Sequence, residues 1–256
     1  MGKLIKWALA AAAVAGASAA SGHDFFLMPE QFQPPRPGAL RIAATVGSSF
    51  PTPEAVVAAD RIERLHVHGT GKPVVRVVGP AAKALTLEVT GARPGLLVTG
   101  VSTKARDVDY AEDRIPLILE EYRVSPEAAA AVERLQRPRT WLVSSRRFAK
   151  TILCVQKCVN RSAGERAFGA DLEFVGRGSA GDQFRLLRNG GPLANYPIDL
   201  VGSDGKRQHL NTDARGDIRL PPTARGTMML FAAVLVPPDG SERFILDLTS
   251  LTFDRR

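Results

Sequence analysis

The chain has 256 residues, with 34 Lys and Arg against 26 Asp and Glu, for a formal net charge of +8. Its basic residues lie in short, scattered runs such as "RRFAK" and "FDRR" with no aromatic interleaving, which argues against nucleic acid as a partner. Only a weak attraction to anionic surfaces follows from the charge.

The first 22 residues, "MGKLIKWALAAAAVAGASAASG", open with Lys3 and Lys6. An Ala/Val-rich run and a small-residue tail follow, the layout of a secretory signal peptide. The apolar run is short of the roughly 20 residues a spanning helix needs. No second long apolar stretch follows. The expectation is an exported chain, periplasmic or secreted, with no membrane span once residues 1–22 are removed. That removal takes two lysines and no acid, so the charge falls from +8 to +6. Several small-residue pairs permit processing, and His23 is the mature N-terminus only if cleavage follows Gly22.

The next segments read as short strands between turn signals. "ALRIAATVG", "RIERLHVHG", "KPVVRVVGP", "ALTLEVTG" and "GLLVTGVST" each close on or near Gly or Pro. In "RIERLHVHG", period-two alternation sets Arg64, His66 and His68 opposite Leu65 and Val67. Strands of this length and spacing predict a sandwich or barrel. The pattern then changes. "DVDYAEDRIPLILEEYRVSPEAAAAVERLQRP" is rich in Ala, Glu and Leu, and predicts a helical insert over 107–136. Ser125 is placed to cap its second helix, with Pro126 in the first turn. Pro116 kinks or restarts the first. The acids Asp107, Asp109, Glu112 and Asp113 read as helix-start charges.

Strand character resumes in "TWLVSS" and "RFAKTILCV". After a linker, "NRSAGERAFGA", a second β block begins. It has turns at Asn189-Gly190, at Asp204-Gly205 and at "DARG". "GTMMLFAAVLVPP" is an unbroken apolar run, which predicts a strand buried on both faces.

Cys154 and Cys158 are the two cysteines of the chain. In a straight strand their Cα atoms would be about 13 Å apart, beyond the reach of a disulfide. A Cys154–Cys158 disulfide therefore needs a bend within "CVQKC". A thiolate copper site and separate free thiols are the alternatives.

In order, the chain carries "HDFFLMP", "GSSF", "RIERLHVHG", "STKARDVDYAEDRIPLILEEY", "SRRFAKTILCV", "GPLANYPIDLV…NTDARGDIRLP" and "SLTFD". This series resembles the exported domain of unknown function 4198 family, at one time catalogued as a nickel-uptake component. The resemblance implies a periplasmic, immunoglobulin-like β protein linked to transition-metal uptake. Phe26 stands where the family usually has Trp, and the cysteine pair lies outside its pattern. In the second block Thr212, Asp213 and Gly216 resemble the hairpin of carboxypeptidase-regulatory and collagen-adhesin modules, with Arg215 in place of the usual Asp. Such modules are mostly scaffolds.

Three histidines of the first block are candidate metal ligands. His66 and His68, two apart on a strand, have Cα atoms about 6–7 Å apart on one face. His23 is the candidate third ligand, and a Ni, Co, Cu or Zn ion the candidate cofactor. The competing reading of each is an ordinary strand residue, and His209 reads as an exposed strand residue. No G-x-S-x-G, H-E-x-x-H or Walker loop is present, so a non-enzyme is expected.

The expected architecture is mainly β: two immunoglobulin-like β-sandwich domains, at 23–160 and 168–256, with a short α-helical insert. The expected function is a periplasmic, non-catalytic binding or delivery protein for nickel- or cobalt-type uptake, partnered by an envelope transporter or receptor component. An envelope interaction scaffold without metal is the first alternative. A copper histidine-brace enzyme at His23 is the second.

Overall fold

The computed structural model describes residues 23–158, 162–178 and 181–255. The expected signal peptide at 1–22 and the expected boundary residue Asn160 lie outside them.

The first half begins with β1 (Asp24–Pro29), β2 (Leu40–Gly47) and the short β3 (Ala55–Val56). β4 (Ile62–Ala81) and β5 (Ala84–Thr103) follow as one long hairpin, then β6 (Arg106–Ala111). Helices α1 (Ile115–Tyr122) and α2 (Pro126–Glu133) lead into β7 (Thr140–Val155). The second half contributes β8 (Leu172–Arg177), β9 (Gln183–Arg188), β10 (Gly191–Pro192) and β11 (Pro197–Gly202). It ends with β12 (Arg207–Asn211), β13 (Asp217–Arg219), β14 (Gly226–Val236) and β15 (Phe244–Arg255). The chain is mainly β with a short helical insert, as expected from the sequence.

The insert starts later than expected. Residues 107–111 belong to β6, which pairs antiparallel with β7. Val108 and Tyr110 turn inward while Asp107 and Asp109 stay exposed, a period-two pattern that the acid-rich composition masks. Asp107 and Asp109 therefore cap no helix. They face Arg243, at 3.2 and 2.7 Å. Pro116 sits in the first turn of α1 and starts the helix rather than kinking it. Ser125 caps α2 by accepting from the Ala128 backbone N–H at 3.3 Å.

One sheet runs through both halves, in the order β1-β2-β5-β7-β15-β14-β11-β12, with β3, β4 and β6 attached at its flanks. A second sheet holds β10-β9-β13 and β8. The expected division at 160/168 thus falls between segments that share a sheet: β15 pairs in parallel with β7, from Phe244↔Val143 to Thr252↔Thr151.

Three cores fill the space around the sheet. The helices cover one face of its second-half strands, with Ile118, Tyr122 and Val132 against Trp141, Phe231 and Leu246. The small sheet covers the other face, with Phe174, Phe184 and Leu186 against Leu230, Val234 and Phe253. The first-half strands close on themselves around Leu27, Ile42, Leu87, Leu97 and Leu153. The unbroken apolar run of β14 is thereby explained. Met229, Phe231, Ala233 and Leu235 point to the helices, and Met228, Leu230, Ala232 and Val234 to the small sheet. β7 reaches all three cores. Trp141 and Val143 face the helices, and Ala149, Leu153 and Val155 the first-half core. Phe148, on the opposite side of the strand, faces the small sheet. That side also carries Arg146, Lys150 and Ile152.

Candidate functional site

The side of β7 that faces the second half is where the strand histidines settle. β4 pairs with β5 so that His66 lies opposite Gly100 and His68 opposite Val98. Both imidazoles pack on the ring of Phe168. The His66 and Phe168 centroids are 4.9 Å apart with planes 18° from parallel. For His68 the separation is 4.8 Å and the tilt 40°. Gly100 makes the approach possible, since a Cβ there would stand 2.6 Å from Phe168 Cε2.

Phe168 is held from below by a buried ion pair. Its backbone N–H donates to Glu173 Oε2 at 2.9 Å, and that of Gly169 to Oε1 at 2.8 Å. Lys150 Nζ donates to Glu173 Oε2 at 2.5 Å and to the Phe174 carbonyl at 2.9 Å. The same ammonium lies 4.5 Å from the Phe168 ring centroid, a cation–π contact. Lys150 and Glu173 are both almost fully buried. Burial pulls the Lys150 ammonium below its usual range, against the attraction of Glu173.

Burial likewise lowers the pKa of His66 below 6.5, and the charges of Lys150 and Arg64 lower it further, while Glu173 opposes them. His68 is lowered by burial and by the positive charges of Arg166 and Lys150. Both imidazoles are therefore neutral at neutral pH. A neutral imidazole keeps one ring nitrogen lone pair, the form that binds a metal. Two such rings suit Ni²⁺, Cu²⁺, Co²⁺ or Zn²⁺ by ligand chemistry.

His23 does not join them. Its Nε2 lies 3.8 Å from Glu54 Oε2, and its carbonyl accepts from Arg147 Nη1 at 2.9 Å. Hydrogen bonds from Ser48 hold Glu54 below the usual carboxylate range. Among the described residues no three His, Cys, Asp or Glu side chains gather as a metal site. Cys154 and Cys158 form a disulfide with Cα atoms 5.6 Å apart. Gln156, at φ 59°, makes the bend that the spacing demands.

A second polar cluster went unread in the sequence. Asp24, on β1, is buried and pairs with Arg207 of β12. Arg207 also reaches buried Asp199 at 3.1 Å, which takes Arg123 at 3.0 Å and His209 Nδ1 at 2.8 Å. His209 is exposed, as expected, but it is tied to this carboxylate. Burial pushes Asp24 up to about 6, against the pull of Arg207. Asp24 Oδ1 is buried with no hydrogen-bond partner. In sequence Asp24 and Arg207 are 183 residues apart, and no local pattern links them.

No helix among the described residues is long and apolar enough to cross a membrane. A family model described as "Domain of unknown function (DUF4198)" matches residues 20–235. No curated protein matches. Among solved structures the chain is similar to the "D0-D1 domain of Intimin", at 14% identity, covering 91% of this chain and 99% of that one, with a TM-score of 0.21.

Proposed function

The chain belongs to the DUF4198 family, and we propose that within it this member is an exported, non-catalytic binding protein that takes a divalent transition metal on His66 and His68. One observation carries the reading: two neutral imidazoles share one strand face and are fixed there by a single ring, Phe168. Two protein ligands leave the remaining coordination positions to water or to small ligands that arrive with the ion. Such a site suits uptake and release of cargo, which supports reading the chain as a delivery protein in nickel- or cobalt-type uptake with an envelope transporter component as its partner. A four-ligand structural site would hold its metal too firmly for that.

Calorimetric titration of the untagged, metal-free chain with Ni²⁺, Co²⁺, Cu²⁺ and Zn²⁺ tests this. At least one ion binds at micromolar Kd or tighter, about −8 kcal/mol. The His66→Ala/His68→Ala variant loses that binding and His23→Ala keeps it. Binding weaker than micromolar for all four ions would sink the proposal.

A metal-free envelope scaffold is the second reading, favoured by one observation. β4 pairs only with β5 among the described residues, and it exposes Val74 and Val78 at 61% and 43%. Exposed apolar residues on an unpaired edge are the raw material of a docking strand. This reading predicts no response to any of the four metals.

A further inference from the structure

The two strand histidines stand between two arginines. Arg64 precedes His66 by two positions on β4. From Arg64↔Ser102 to His68↔Val98 the strand keeps its register with β5, so Arg64, His66 and His68 project from one face. The Cα atoms of Arg64 and His66 are then about 6–7 Å apart. Arg166 arrives on the linker, two residues before Phe168, whose ring packs on both imidazoles. The charge of Arg64 reaches His66 and that of Arg166 reaches His68, so the two guanidinium groups flank the pair.

Both arginines are exposed, and neither is neutralised. Among the described residues no carboxylate lies within 4.0 Å of their charged nitrogens, those of neighbouring Glu63 and Glu165 included. Glu165 instead accepts from the Gly178 N–H at 2.9 Å.

The carboxylate whose charge reaches both rings is Glu173. It is already committed to Lys150 and to the N–H groups of Phe168 and Gly169. Lys150 and Glu173 cancel as a pair, and the arginines leave the site with surplus positive charge. A bare divalent cation bound to the imidazoles works against that repulsion. A metal wrapped in a polycarboxylate carries net negative charge, and its carboxylate oxygens are groups that arginine binds. A four-armed chelator also leaves two adjacent positions on a six-coordinate ion, the number that two imidazoles fill.

Resting on the reading of His66 and His68 as metal ligands, we propose that the site takes its metal as an anionic complex with a small polycarboxylate. The imidazoles fill the positions that the chelator leaves open, and Arg64 and Arg166 hold its carboxylates.

The test is calorimetry on the untagged chain at low salt, with three probes titrated separately: bare Ni²⁺, its nitrilotriacetate complex and its tris(2-aminoethyl)amine complex. Both chelators leave two adjacent positions open, so the imidazole bonds are common to them. They differ in charge, one net negative against two positive. The nitrilotriacetate complex binds at least about tenfold more tightly than the amine complex. His66→Ala/His68→Ala loses both. Arg64→Gln/Arg166→Gln, at exposed positions, weakens the nitrilotriacetate complex and tightens the amine complex. If bare Ni²⁺ binds but the amine complex binds as tightly as the nitrilotriacetate complex, or the arginine variant keeps the gap, the chelate proposal is overturned and the histidine site stands. If bare Ni²⁺ and both complexes give no binding, the two fall together.

Discussion

Lys150 and Glu173 are buried as a closed pair, whereas Asp24 is buried as half of an open one. Both clusters join the first half of the chain to the second. In the closed pair every strong partner is present: the ammonium has a carboxylate, a carbonyl and a ring, and the carboxylate has an ammonium and two backbone N–H groups. In the open one Arg207 is shared between Asp24 and Asp199, and one Asp24 oxygen has no partner. Burial pushes both Lys150 and Asp24 toward their neutral forms. The difference is that the hydrogen bonds of the closed pair are complete, so it acts as a rigid support, while those of the open pair are not. The histidine platform sits on the closed pair.

Breaking the closed pair has the largest effect expected. Lys150→Met leaves the Glu173 carboxylate buried without its counter-charge and destabilises the chain by about 3–5 kcal/mol, measured by urea unfolding at pH 7. A loss under about 1 kcal/mol would put the two clusters on an equal footing and end the comparison.

The open pair makes a signed prediction in pH. The folded-state pKa of Asp24 is raised from 3.8 to about 6, so between these values the folded state holds the proton more firmly than the unfolded chain. The stabilisation is full below about pH 4 and is lost as pH rises through about 6. Relative to Asp24→Asn, the parent should therefore lose about 2–3 kcal/mol between pH 4 and pH 7. Parallel stability curves for parent and variant would show that Arg207 fully compensates the burial.

Phe168→Ala removes the platform and keeps the pair beneath it. The lost cation–π contact and ring stacking amount to about 2 kcal/mol, less than for Lys150→Met. An equal loss would mean that the ring, not the ion pair, is the support. Ser125→Ala touches neither cluster and costs about 1 kcal/mol through the α2 cap alone, seen as a lower urea midpoint with unchanged m-value.

Features written in neighbouring residues were legible in the sequence. The Ser125-Pro126 helix start, the turns at Asn189-Gly190 and Asp204-Gly205 and the two-sided burial of β14 each depend on residues close in the chain. The shared face of His66 and His68 follows from strand alternation in the same way. β6 carried its own period-two signal in Asp107-Val108-Asp109-Tyr110, but composition outweighed periodicity there. Joins across the chain were not legible. The parallel pairing of β15 with β7, the stacking of Phe168 on both histidines and the Arg207–Asp24 pair each depend on partners that the fold brings together from afar. For His23 the neighbour that the fold supplies is Glu54, not the strand histidines.

The central claim is that the Phe168 platform, on the ion pair beneath it, presents two imidazoles to a metal. Long-range ¹H–¹⁵N NMR of the histidine side chains during Zn²⁺ titration tests it most directly. The account predicts that the ring nitrogens of His66 and His68 shift together with increasing Zn²⁺ while those of His23 and His209 stay in place. Shifts at His23 or His209 with His66 and His68 unmoved would contradict it.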